Sequence, residues 1–250
     1  MPAFKGLFIK EWKMMKGFFI GPFIITVIII LLLNISGNTS MIELLLGIMA
    51  FGYIILPATV LFSLNLEVNQ MELFLHNPQP IHQLISVKFL NGLLLAFSYL
   101  LIMAMAITGV ELIWDELTLS VLETFFLLNI FVLRMIIVSI FPAVILLFFW
   151  SLHQIFRTYI RGLSIIAVVL ILIGSLEMMV WFWSTRFYEA LTKWGTISIQ
   201  FVDSNVNGFP LSFHLGAGNT LDLGSYVFYG ILSALIYFLS AYLIDRKVEV

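Results

Sequence analysis

The chain has 250 residues, 62% of them hydrophobic and only 10% charged, with a formal net charge of −2. A soluble domain carries about 25% charged residues, so the solvent for most of this chain is a bilayer, and nothing in the charge balance points to nucleic acid. There is no cysteine, which excludes a disulfide framework, a thiol nucleophile and any Cys-based zinc or iron–sulfur site.

Residues 1–17 form the first predicted element, an interfacial helix. On a helical wheel Phe4, Leu7, Phe8, Trp12 and Met15 share one side, while Lys5, Lys13 and Lys16 occupy the other. Such a helix lies in the headgroup layer and is attracted by anionic lipid. It is either a topogenic anchor or an elbow that braces a larger machinery. Glu11 falls on its apolar side, which implies that this face meets protein as well as lipid. No small-residue cleavage site follows the first apolar run, so the N-terminus is expected to be retained.

A spanning helix needs about 20 mostly apolar residues. Six runs qualify: 18–35, 41–64, 84–110, 121–150, 162–184 and 224–244. The expected fold class is therefore an all-α polytopic membrane protein with six transmembrane helices over 18–250. Pro22, Pro57 and Pro142 mark start or kink positions. Lys5, Lys10, Lys13, Lys16, Lys88, Arg157, Arg161, Arg246 and Lys247 fall on one side of this layout; Arg186 and Lys193 fall on the other, with an acidic loop containing Glu111, Asp115 and Glu116. The bias places both termini in the cytoplasm of a multi-pass plasma-membrane protein. Trp181, Trp183 and Tyr188 mark the outer interface of the fifth run. Residues 185–223 form a long outer connection with Gly208, Pro210, Gly216 and Gly218, too apolar for a simple wet loop, which can dip back into the membrane where protein shields its backbone.

Residues 65–83 interrupt the apolar pattern on the cytoplasmic side. From Glu67 to His76 a short helix is predicted, with Met71, Phe74 and Leu75 on one face at i, i+3 and i+4. Asn77-Pro78 stops it, and after Pro80 a new helix runs into the third span. A helix of about ten residues is not stable alone. Its apolar residues each cost roughly 1.5–3 kcal/mol to leave in water. They need lipid, the N-terminal helix or another protein.

The stretch "LNLEVNQMELFLHNPQPIHQLISVKFL" resembles the cytoplasmic loop of type-2 ABC transporter permeases. Glu67 and Glu72 match that family's acidic positions, Leu73, Phe74 and Leu75 its leucine-rich part, Pro78 its proline, and Lys88 its lysine entering the next span. "LFIKEWKMMKGFF" looks like the family's opening helix, with Glu11 at the acidic position. The chain departs from the pattern in having no glycine between Glu67 and Glu72, and in carrying Pro80 and His82 where a basic residue is usual.

The resemblance implies a coupling helix that sits in a groove on a separate ATPase subunit. Met71, Phe74 and Leu75 would plug the groove, and Glu67 and Glu72 would meet its rim. It also implies that ATP and Mg are bound by the ATPase chain, and that two permease chains, alike or different, pair. No G-x-x-x-x-G-K-[ST] phosphate loop occurs in this chain, and no catalytic constellation is visible, so no enzymatic activity is expected of it.

Arg134 in the fourth run and Glu177 in the fifth are intramembrane charges. Arginine at a span centre costs roughly 2.5–3.5 kcal/mol on insertion scales, so it should face protein or water. The two are expected at similar depth and expected to pair, either as a structural bridge or as part of a substrate path. His76, His82, His153 and His214 have no metal spacing and are read as solvated. The shallow polarity of the spans favours hydrophobic or amphipathic cargo, peptide foremost. In style the chain resembles peptide-toxin exporter permeases of Gram-positive bacteria. The alternatives are a secondary transporter, which would show more buried polar ion sites, and an immunity or sensor partner that moves nothing.

Overall fold

The computed structural model describes residues 2–34, 41–68, 80–114, 120–198, 204–206, 209–211 and 220–247. Six helical stretches are long and apolar enough to cross a membrane: Phe4–Leu32, Leu44–Val68, Ile81–Ile113, Val121–Ile160, Ser164–Trp183 and Leu223–Asp245. All six expected runs are thus helical. The helices are α1 (Pro2–Asn34), α2 (Met41–Ala50), α3 (Ile55–Val68), α4 (Ile81–Trp114), α5 (Val121–Ile160), α6 (Ser164–Trp183), α7 (Arg186–Thr192) and α8 (Leu223–Lys247).

Local chemistry accounts for several boundaries. Helix α5 opens on a capping box: Ser120 Oγ accepts from the Glu123 amide at 3.3 Å, and Glu123 Oε2 accepts from the Ser120 amide at 3.0 Å. The second span is the one that breaks. A 3-10 stretch, Phe51–Ile54, separates α2 from α3. Pro57 explains the position, because it offers no N–H to the carbonyl four residues back, at Tyr53. Pro22 and Pro142 lie inside α1 and α5, which remain helical through them. Helical hydrogen bonding in α1 likewise runs on from Pro2 to Asn34, with no break at the boundary expected between residues 17 and 18.

The bundle has two cores. One joins α2, α4 and α5 through Met49, Leu100, Met103 and Leu128. The other joins α3, α4, α5 and α8 through Leu56, Leu64, Ile85, Leu147 and Ile244. Helix α4 contributes to both and is the central post. Two glycines let it approach the second span: a Cβ at Gly92 would lie 2.8 Å from Leu56 Cδ1, and one at Gly52 would run into Leu100. Helix α6 is the outlier, with only Ser164 buried.

The outer connection adds short strands that an all-α expectation does not include. β1 (Thr196–Ser198) pairs antiparallel with β4 (Thr220–Asp222), and β2 (Ser204–Val206) with β3 (Phe209–Leu211). The β1–β4 ladder clasps the two ends of the connection together. Gly195, at φ +65°, makes the turn that admits it. Below the clasp Tyr229 OH receives the Trp183 indole N–H at 3.1 Å and lies 3.0 Å from Tyr188 OH, fixing α7 against α8. Glu111, expected in an acidic loop, instead lies within α4 at 1% exposure, because α4 continues to Trp114.

The fit at Gly52 is testable. Gly52→Ala should destabilise the protein by about 1–3 kcal/mol through overpacking against the fully buried Leu100. Gly109→Ala, whose Cβ meets nothing within 4 Å, should be neutral or slightly stabilising. Thermal unfolding in detergent compares the two.

Candidate functional site

Three helices each present a polar residue to the same point. On α1, Glu11 and Met15 stand at i and i+4 and are both buried. On α3, Ser63 and Glu67 share a face in the same way. On α4, Lys88 and Asn91 do so at i and i+3, with Leu84 and Leu95 continuing the stripe. Where these faces meet, two carboxylates close around one ammonium.

Lys88 is 2% exposed, Glu11 4% and Glu67 9%. Lys88 Nζ lies 3.2 Å from Glu11 Oε2, 2.8 Å from Glu67 Oε2 and 2.8 Å from Ser63 Oγ. The Ser63 hydroxyl donates in turn to Glu11 Oε1. Lys10, from the exposed side of α1, donates to Glu67 Oε1 at 3.2 Å. The charges sum to zero: Glu11 and Glu67 against Lys88 and Lys10. The Lys88 ammonium donates hydrogen bonds to Glu11 and to Ser63 and stands in ion-pair contact with Glu67, so one cation serves both acids.

Burying such charges is expensive. Each loses several kcal/mol of hydration, which only close pairing offsets. The net stabilisation of the intact group is small, whereas removing one member leaves the others uncompensated. The cluster therefore dictates which helices meet, and in what register, more than how tightly they do so.

The surrounding contacts gather more of the bundle to this end. The Trp150 indole N–H of α5 donates to Asn65 Oδ1 of α3 at 3.1 Å. Tyr237 OH of α8 donates to the carbonyl of His82, at the start of α4, at 3.3 Å. Asn91, one turn above Lys88, is 1% exposed and its side-chain amide has no partner among the described residues.

Of the residues expected to matter, Glu11 and Glu67 come together here. Glu67, which the resemblance assigns to the rim of a partner, turns toward Lys88 and Lys10. Phe4 is half-buried, and Trp12 faces outward at 41% exposure, its ring against Phe8 and Phe19. Met71, Glu72, Phe74, Leu75 and Pro78 lie outside the described residues. The expected pairing of Arg134 with Glu177 is not formed: among the described residues no ion pair joins them. Glu177 is exposed on α6, and Arg134 is half-buried and engaged elsewhere. The reason is depth. From the turn that joins α5 to α6, Arg134 is 26 residues back from Ile160 and Glu177 is 13 residues on from Ser164. At 1.5 Å per residue these are about 39 and 20 Å along the two axes. The similar-depth estimate took α5 to end near residue 150; it continues to Ile160.

Ser63, Lys10 and Asn91 were not anticipated. The signal for the cluster was Lys88 itself, a lysine inside an otherwise apolar run, which must find an acid. No protein-family model, curated protein or solved structure matches the chain.

Two outcomes follow. Lys88→Met should destabilise the protein by about 3–5 kcal/mol, since two carboxylates lose their shared counter-ion. Adding Glu11→Gln and Glu67→Gln to it should recover most of that loss, as measured by thermal unfolding of purified protein. In a double-mutant cycle Arg134→Leu and Glu177→Leu should act independently, with a coupling below about 0.5 kcal/mol.

Proposed function

We propose that the chain is the membrane-spanning permease subunit of an ATP-driven ABC exporter, moving hydrophobic or amphipathic cargo, peptide foremost. In this reading residues 65–83 form the coupling segment that docks on a separate ATPase chain, and a second permease chain completes the pathway. Both termini then lie in the cytoplasm, following the lysine and arginine bias.

One observation carries the proposal: the buried cluster ties α3 and α4, the helices on either side of that segment, to α1. Glu67 stands one residue before the end of α3, and Lys88 stands seven residues into α4. That distance is about 10 Å along the helix. A push delivered to the intervening segment therefore reaches α1, α3 and α4 as one body. A lever needs such an anchor, since a short helix free at both ends would absorb the motion by local bending. The matches of Glu11, Glu67, Glu72, Pro78 and Lys88 to the type-2 permease pattern support the same reading. Substrate choice rests on the low polarity of the spans.

The test separates docking from transmission. Phe74→Asp should abolish co-purification of a soluble ATPase, while leaving the membrane fold unchanged. Glu67→Gln should keep the ATPase bound but lower cargo export at least several-fold, as read by uptake into inverted vesicles. If the wild-type chain, expressed with its neighbouring genes, draws down no ATPase, the exporter reading fails and a protein that works without ATP takes its place.

A further inference from the structure

A groove of about 670 Å³ runs between α1 and the α2–α3 pair, within the range of about 300–1,000 Å³ typical of ligand pockets. None of its lining residues belongs to the charged cluster, and it plays no part in the anchoring described above. Its walls are apolar, with Ile25 of α1 and Phe51 of the 3-10 stretch at the rim. Two glycines open it: a Cβ at Gly21 or Gly47 would meet nothing within 4 Å. The polar lining atoms include one hydroxyl pair, Thr26 Oγ1 and Tyr99 OH at 2.6 Å, both residues being more than nine-tenths buried.

We infer that this groove is a binding site for one acyl chain of a membrane lipid. Its dimensions argue for that occupant. On α1 the lining runs from Phe18 to Ile29, a rise of about 16 Å at 1.5 Å per residue. That is half of the roughly 30 Å hydrocarbon core, the reach of one leaflet's chains. The groove is lined wholly from three candidate spans, Phe4–Leu32, Leu44–Val68 and, through Tyr99, Ile81–Ile113, so a mouth at this depth faces hydrocarbon. Because the bilayer is itself apolar, retention comes from packing on several walls at once rather than from escape from water. The groove also borders the one non-α stretch in the spans, so a seated chain fills the space where the second span bends.

The full-length protein is reconstituted in nanodiscs with a phospholipid carrying a diazirine midway along one acyl chain. Cross-linked residues are then mapped by mass spectrometry. Ile25 and Phe51 should be labelled several-fold above the lipid-facing residues of α6. The Gly21→Leu, Gly47→Leu double variant should reduce groove labelling about fivefold or more by filling the space, with α6 labelling unchanged. The single Gly47→Leu, expected to give a smaller loss, serves if the double variant does not fold. Equal groove labelling in wild type and variant, or wild-type labelling no higher than on α6, overturns the proposal. So does displacement of the groove label by an amphipathic peptide but not by unlabelled phospholipid, which would make the groove a cargo site.

Discussion

An ammonium shared by two buried carboxylates is the constraint on which the rest of this bundle depends. In lipid, apolar helices gain little from touching one another rather than the surrounding tails. Leu against Leu therefore says little about which span should sit beside which. Lys88, Glu11 and Glu67 do say it. Each is hard to place alone in a membrane protein's interior, and the observed arrangement of α1, α3 and α4 satisfies all three. Ser63 and Lys10 complete the group. The apolar cores and the glycine contacts at Gly52 and Gly92 then refine an arrangement that the charges have already selected.

The same constraint gives the molecule a mechanical division. Five helices are tied at the end that carries both termini: α1, α3 and α4 by the charged group, α5 through Trp150, and α8 through Tyr237. At the opposite end the β1–β4 clasp and the Tyr188–Tyr229–Trp183 contacts hold α7 and α8. Between these two fastened ends the second span carries its 3-10 break, beside an open groove. The bundle is thus tied at both ends, with the break in its helical hydrogen bonding between them.

Much of this was legible in the sequence, for physical reasons that differ by element. The six spans were readable because a helix that crosses a bilayer needs about 20 apolar residues. Glu11 was flagged because a carboxylate on an apolar face contradicts a simple lipid anchor. The inward turn of Glu67 was not readable. Whether an acid near a helix end faces a partner or its own chain depends on the rotation of the helix, which pattern alone leaves open. The depth of Arg134 relative to Glu177 was misjudged because hydrophobicity marks where lipid ends, not where a helix ends, and α5 continues past that point. The strands were hidden by their brevity: three residues carry no periodicity.

The order of the charged residues along the chain also bears on how the protein is made. Glu11, Ser63 and Glu67 all precede Lys88. During synthesis, which delivers the N-terminal part first, the acids are already waiting when the lysine emerges. Lys88 thus never enters the bundle ahead of its partners. Reversing that order, by circular permutation for instance, would leave the finished contacts intact yet strand Lys88 during assembly.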